Sequence, residues 1–205
     1  MQFQRHWARL RRLTRRLWSL VFLKITDRVY VLDLKDYRPA KAPPRNMIQI
    51  MPLTVSDRER LTDAFGEVKA NALIERLKTC YGVIGTYQGK AAGYSWMTSQ
   101  PRHGEGESPF LYDIFPKKGW FYCFDTYVAP SARGVGLATQ LKCGLIEEVQ
   151  RRDGHFCLAT HDNTNVSVIH VSEKLGFKLR GYLYYSRILG ASRQDTSGLP
   201  EGVRP

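Results

Sequence analysis

The stretch Val128-Ala-Pro-Ser-Ala-Arg133-Gly134-Val135-Gly136-Leu137-Ala138 constrains this chain more than any other. It follows the β-prone run Trp120–Val128 and leads into a segment that reads as helical from Ala132 to Arg152, with Leu137, Leu141, Leu145 and Val149 along one stripe. Pro130 ends the strand because it has no N–H to give to a ladder. The first amides of the following helix lack an internal acceptor and carry partial positive charge, so an anion is favoured there. Gly134 and Gly136 omit the Cβ atoms that would keep a pyrophosphate at a distance, and Ala138 is small. Three other glycine loops do not fit. A P-loop needs Gly-Lys-Ser/Thr, but Leu137 and Ala138 follow Gly136. A dinucleotide fingerprint needs a third glycine where Thr139 stands. A kinase glycine loop lies between two strands and does not open a helix. An ordinary helix N-terminus with two glycines is the remaining alternative at this point.

The rest of the chain supplies the layers around that turn. Residues 3–23 have a helical period, with Trp7, Leu10, Leu13, Leu17 and Leu20 opposite Arg5, Arg9, Arg12 and Arg16. Asp27–Leu34 reads as a strand, and Tyr37–Arg45, with three prolines, as a linker. From Met47 the order reads β-α-α-β-β-β-α-β-α-β. Its pieces are a strand over Met47–Met51, helices to about Phe65 and over Ala70–Cys80, and strands over Tyr81–Tyr87 and Ala91–Thr98. A loop over Pro101–Lys118 precedes the strand–turn–helix, which is followed by the strand His155–Thr160, the helix Val166–Leu175 and a last strand over Leu179–Leu189. Mixed order of this kind predicts an α/β sheet with helices packed on it. The expected organisation is a basic amphipathic extension over 1–45, a main domain over 46–190 and a flexible polar tail over 191–205.

Charge and cysteines narrow the class. Residues 1–45 hold twelve Lys/Arg against three acids, a net +9 of the chain's formal +12, so the basic character belongs to the N-terminal segment. Cys80, Cys123, Cys143 and Cys157 are far apart, with no metal spacing and no upstream secretion signal, which predicts reduced thiols in a cytoplasmic protein and no metal site. The apolar run Leu17–Leu23 is far short of the roughly 20 residues that span a bilayer.

Arg133-x-x-Gly136-x-Ala138 resembles the Arg/Gln-x-x-Gly-x-Gly/Ala signature of the GCN5-related N-acetyltransferase (GNAT) family, and Val128-x-Pro130 is similar to the strand end that precedes it. Asn165 followed by Ser172-Glu-Lys-Leu-Gly176-Phe177 resembles the family's second motif, Asn and then Tyr-Glu-Lys-Leu-Gly-Phe, in the right order and spacing. The resemblance covers roughly Met47–Leu189. It implies a mixed, mostly antiparallel sheet whose middle strands splay apart to hold the pantetheine arm of acetyl-CoA or another acyl-CoA. By this resemblance Tyr127 and Val128 offer main-chain groups to the pantetheine and the thioester carbonyl. Arg133, Gly134, Val135, Gly136, Leu137 and Ala138 hold the pyrophosphate. Asn165 meets either the cofactor arm or the start of the next helix. The implied reaction is direct attack of an amine on the thioester, both substrates being aligned in one complex.

Asp125, between Phe124 and Tyr127, is the candidate base, with a strand-end carboxylate that binds substrate or a neighbouring Arg as its alternative role; His161 is a second candidate, with a surface or loop-capping histidine as its alternative. Many relatives carry, at the position of Ser172, a tyrosine acid that protonates the leaving thiolate, and a serine is too short and too weakly acidic to serve similarly. Tyr184, Tyr182 or Tyr185 can replace it, or the thiolate leaves unassisted, or the domain binds acyl-CoA without chemistry. Tyr184 is the candidate acid. Glu173 and Lys174 read as a solvated helix face, and the tyrosine cluster also reads as strand packing.

Partners follow from these pieces. A small-molecule or peptide amine is the acceptor. Acyl carrier protein is an alternative donor that would suit the basic extension. Residues 1–25 suit either peripheral contact with an anionic membrane or packing on the domain or a second copy. No interleaved aromatic and basic motif points to nucleic acid.

Overall fold

The computed structural model describes residues 22–40, 47–103, 112–189 and 191–204. Among these residues eight strands form one sheet, with four α-helices on its two faces. The strands are β1 (Phe22–Asp33), β2 (Ile48–Pro52), β3 (Tyr81–Tyr87), β4 (Lys90–Thr98), β5 (Trp120–Val128), β6 (Phe156–Asp162), β7 (Lys178–Ile188) and β8 (Ala191–Asp195). The helices are α1 (Arg58–Phe65), α2 (Glu67–Arg76), α3 (Leu137–Arg151) and α4 (Val166–Lys174). The sheet order is β2-β3-β4-β5-β6-β1-β7-β8. Every neighbouring pair is antiparallel except β5 and β6, so the expected mixed, mostly antiparallel sheet is present.

Two cores flank the sheet because strand residues alternate between faces. On one face Leu61, Ala70 and Leu73 of α1 and α2 pack with Val29, Val31, Ile84, Trp96, Tyr122 and Leu158. On the other, Leu137, Leu141, Leu145 and Val149 of α3 pack with Tyr30, Val83, Met97, Cys123, Cys157 and Ala159, joined by Ile169 of α4. The leucine stripe read from the sequence is therefore the buried face of α3. Fully burying one such side chain stabilises the fold by about 1.5–3 kcal/mol.

Residues 22–33, assigned above to an extension, form the strand between β6 and β7. The run is apolar on both sides, with Val29, Tyr30 and Leu32 fully buried, which fits a central strand better than an edge. Phe22 and Leu23 open this strand and do not end a helix; the remainder of the expected basic helix lies outside the described residues, as does the proline pair of the expected linker.

The expectation of a flexible tail is corrected. Ala191–Asp195 pairs with β7 as an edge strand, and Leu199 and Val203 are buried in the α1–α2 core. Two apolar residues four apart, in a segment otherwise polar, suffice to seat it. The hydrogen bonds Phe115 N–H to Val203 C=O (3.0 Å) and Lys117 N–H to Gly202 C=O (2.8 Å) fix it there. The helix expected from Ala132 begins at Leu137, because a 3-10 turn over Pro130–Ala132 and the glycine turn occupy the intervening residues.

Candidate active site

β5 and β6 run parallel and in register from Trp120↔Phe156 to Cys123↔Ala159, and then part. The cause lies in the other neighbours of each strand. β6 continues to pair with β1 through Thr160↔Val29, His161↔Arg28 and Asp162↔Asp27. β5 stays with β4 but bulges between Phe124↔Trp96 and Tyr127↔Tyr94, so that Asp125 and Thr126 oppose Ser95. Asp125 takes a left-handed conformation, φ +45°, which Asp tolerates better than most residues. Ser95 Oγ and Thr126 Oγ1 are 2.7 Å apart and pin the bulge. At the fork, the Tyr122 hydroxyl and Thr160 Oγ1 bridge the two strands at 2.8 Å.

The glycine turn lies beyond the open end of the fork. Gly134 and Gly136 have φ of +81° and +90°, and among the described residues nothing lies within 4 Å of where a Cβ on either would stand. The ladder of α3 starts with Gln140 N–H to Gly136 C=O at 3.1 Å. The N–H groups of Leu137, Ala138 and Thr139 thus precede it and face outward at the positive end of the helix. Arg133 turns back, its Nε donating to the Val128 C=O at 3.3 Å. The Tyr127 ring stacks on Tyr94 at 5.5 Å and meets Phe65 edge-on at 5.8 Å, which fixes β5 where it borders the gap. Gly93 lets β4 come close: a Cβ there would lie 2.6 Å from the Tyr127 carbonyl oxygen.

Asn165 caps α4, its Oδ1 accepting from Val168 N–H at 3.3 Å. This is the second of the two roles expected for it. Asp125 pairs with Arg76 at the end of α2, and both side chains are about four-fifths buried (20% and 22% exposed). Tyr184 is 44% exposed on β7, two strands away from β6, and is not brought together with Ser172. Tyr185 is buried in the core on the opposite side of the sheet from α4. Glu173 is not simply solvated, since it accepts from the Tyr30 hydroxyl at 2.8 Å.

Two features escaped the sequence reading. Asp27 on β1 is buried on the α1–α2 face beside Tyr112, and burial, then the nearby Asp162, pushes its carboxyl above the usual carboxylate range. Lys142, inside α3, is buried against His161 and Ser172. Neither belongs to a motif; both depend on long-range contacts across the sheet. The four cysteines are buried and unpaired, and no group of metal-ligating side chains occurs among the described residues. Nor, among those residues, is any helix long and apolar enough to cross a membrane.

Comparison with known proteins agrees with this architecture. The family model of the acetyltransferase (GNAT) family matches residues 48–177. No curated protein matches the sequence. Among solved structures, a GNAT-family protein from Novosphingobium aromaticivorans superposes with a TM-score of 0.53 at 16% identity, covering 79% of this chain and 63% of its own. A tandem GNAT protein from the clavulanic acid biosynthesis pathway gives 0.56 at 18% identity, covering 82% and 55%. A GCN5-related N-acetyltransferase from Kribbella flavida gives 0.54 at 10% identity, covering 82% and 60%. The chain thus spans between half and two thirds of the length of these proteins, and at such identities they share its fold. With 130 of its 205 residues under the family model, the chain belongs to the GNAT acetyltransferase family.

Proposed function

We propose that this protein transfers an acyl group, acetyl being the simplest, from acyl-CoA to an amine by direct attack. One observation carries the reading: open glycine positions at 134 and 136 and the leading amides of α3 stand at the mouth of the fork between β5 and β6. Backbone amides from Gly134 to Ala138 would hold the pyrophosphate, the Arg133 N–H expected among them being donated to the Pro130 C=O instead, and the main chain at Tyr127 and Val128 would border the pantetheine. Asn165 acts through the start of α4, which it caps. We take the transferase unit to begin with β1, since that strand completes the sheet beside β6.

The cofactor would enter from the α3–α4 face, which leaves the α1–α2 face to the amine. Two carboxylates stand on that face. Asp125 is engaged by Arg76, so we assign it to holding the bulge. Asp27 has the raised proton affinity a base needs, and we assign it to receiving the amine's proton. Tyr184 has no part in this scheme.

The test is acetyl-CoA binding by calorimetry on the wild type and on a Gly134→Glu/Gly136→Glu variant. Binding by the wild type that disappears in a folded variant is the expected result. A wild type that binds neither acetyl-CoA nor CoA would overturn the reading and turn attention to acyl carrier protein as donor.

A further inference from the structure

A cavity of about 440 Å³ opens on the α1–α2 face of the sheet, at the end away from the fork. Val31 of β1 and the rings of Trp120 and Phe156 line it, and the two rings stack with their centres 4.5 Å apart. Trp120 and Phe156 are the first pair of the parallel β5–β6 register. The fork opens after Cys123, three residues further on and roughly 10 Å along the strand. Both rings are only half-buried, while Val31, Leu199 and Val203 around them are buried. Stacked aromatic surface left open in a concavity is what a ligand with an apolar body covers.

The C-terminal segment forms one wall, and close backbone contacts set its shape. A Cβ on Gly181 of β7 would stand 2.7 Å from the Gly198 carbonyl oxygen, and one on Gly198 would collide with the main chain of Tyr182. Gly202 lies as closely on the Trp120 indole. The hydrogen bonds Leu199 N–H to Thr196 C=O (2.9 Å) and Val203 N–H to Pro200 C=O (3.0 Å) close two turns. Arg204 clasps the segment, its Nε donating to Leu199 C=O at 2.5 Å and its Nη2 to Ser197 C=O at 2.8 Å. The wall is therefore formed in advance, and a ligand need not order it.

Charge decides the kind of ligand. On β7, Leu183 and Tyr185 face the α1–α2 core, and Tyr182 and Tyr184 are exposed. Strict alternation would put residue 180 on the side of Tyr182 and Tyr184. The strand bulges instead. Val29 pairs with Gly181 and Tyr30 with Leu179, so Arg180 is the extra residue and is turned to the cavity beside Val31. Arg204 lines the same cavity and keeps donors beyond those its clasp uses. Among the described residues no carboxylate lines the cavity. Asp36, held below the usual carboxylate range chiefly by Lys178 and least by Arg180, is bonded to Lys178 Nζ at 2.5 Å. Two guanidiniums beside an open aromatic stack suit an anion on a flat apolar body, and the guanidinium fork matches a carboxylate.

We propose that this cavity binds a carboxylate carried by an aromatic group, the ring resting on Phe156 and Trp120 and the carboxylate on Arg180 and Arg204. A free aromatic acid and a peptide that ends in an aromatic residue present the same chemistry. The site is separate from the fork and does not rest on the acyl-CoA reading.

The test is calorimetry on the full chain with phenylacetate and with N-acetyl-alanyl-phenylalanine, each with and without saturating CoA. Phenylacetamide, which lacks the charge, and acetate, which lacks the ring, are the controls. At least one of the two aromatic carboxylates is expected to bind with a Kd of about 1 mM or tighter, and about tenfold or more tighter than either control. The tighter of the two names the source, free acid or chain end. Arg180→Gln should weaken that binding by about tenfold or more. Phe156→Leu keeps an apolar side chain on the strand and should weaken it as well. Arg180 is exposed, so Arg180→Gln carries the test if Phe156→Leu does not fold. The Kd should be the same with and without CoA; displacement by CoA would put the acid at the fork and overturn the site. A wild type that prefers neither carboxylate to the controls, as when another part of the chain or a second copy fills the cavity, would overturn it too. So would unchanged affinity in the folded variants.

Discussion

Arg76, the last residue of α2, reaches Asp125 in the bulge of β5, its guanidinium 5.2 Å from the ring centre of Trp96 and 5.7 Å from that of Phe124. The pair ties a helix on one face to the point where β5 leaves β6. Both side chains are mostly buried, so truncating one leaves the other charged and poorly solvated.

Arg76→Met and Asp125→Asn should each therefore lower stability by about 1–3 kcal/mol, and the double variant should lose less than the sum, with a coupling of about 1 kcal/mol or more. Urea unfolding with matched slopes measures this. Turnover should fall to a similar extent in both single variants, because both release the bulge. A far larger loss in Asp125→Asn alone, with additive stabilities, would mark Asp125 as the proton acceptor instead.

That pair shows where legibility in the sequence ends. Trp120–Val128 is read as a strand and found as one, because aromatic and β-branched residues between a loop and Pro130 leave no alternative. The glycine turn and the capped start of α4 at Asn165 are local chemistry and are equally legible. The place of β1 is not, since its partners are 123 (Asp33 to Phe156) to 166 (Phe22 to Ile188) residues away and nothing in Phe22–Asp33 names them. The C-terminal segment misled by its polarity: β8 is an edge strand, and its anchors Leu199 and Val203 are two side chains among many polar ones. Lys142 belongs to no motif, and only α4 and β6 brought against it single it out.

Asp27 separates stability from activity. Its carboxyl holds a proton more tightly in the folded chain than in the unfolded one. Between the ordinary carboxylate range and that raised value, the folded state binds more protons, so stability falls as pH rises. By neutral pH Asp27 is therefore destabilising to the fold. Asp27→Asn should therefore melt higher than the wild type at pH 7, by a few degrees if the relief is about 1 kcal/mol. The gain should shrink as pH falls to the carboxylate range, where both side chains are neutral. If Asp27 takes the amine's proton, kcat should drop by about 100-fold or more in the same variant. A variant that melts lower at pH 7, or one that turns over like the wild type, would remove Asp27 from the scheme.

Lys142 makes a prediction about stability that needs no substrate. In the unfolded chain the lysine titrates near its ordinary value of 10.5, and in the folded chain near 8, because burial disfavours the ammonium. Between those values the unfolded state binds more protons, so this residue's contribution to stability rises with pH across that window and is flat below it. The full change is about 3 kcal/mol. Lys142→Met lacks the titration, and its apolar side chain still packs on Phe177. It should be at least as stable as the wild type at pH 7, while the wild type closes the gap from about pH 8 upward. The Cys157 thiol, close to Lys142, is held well above its ordinary value by Cys123 and by burial, and burial raises the tyrosines as well, so these groups titrate above the window in which Lys142 does. Chemical denaturation of the two at pH 7, 8.5 and 9.5 makes the comparison. A constant difference across that range would mean that Lys142 is not held as a buried cation.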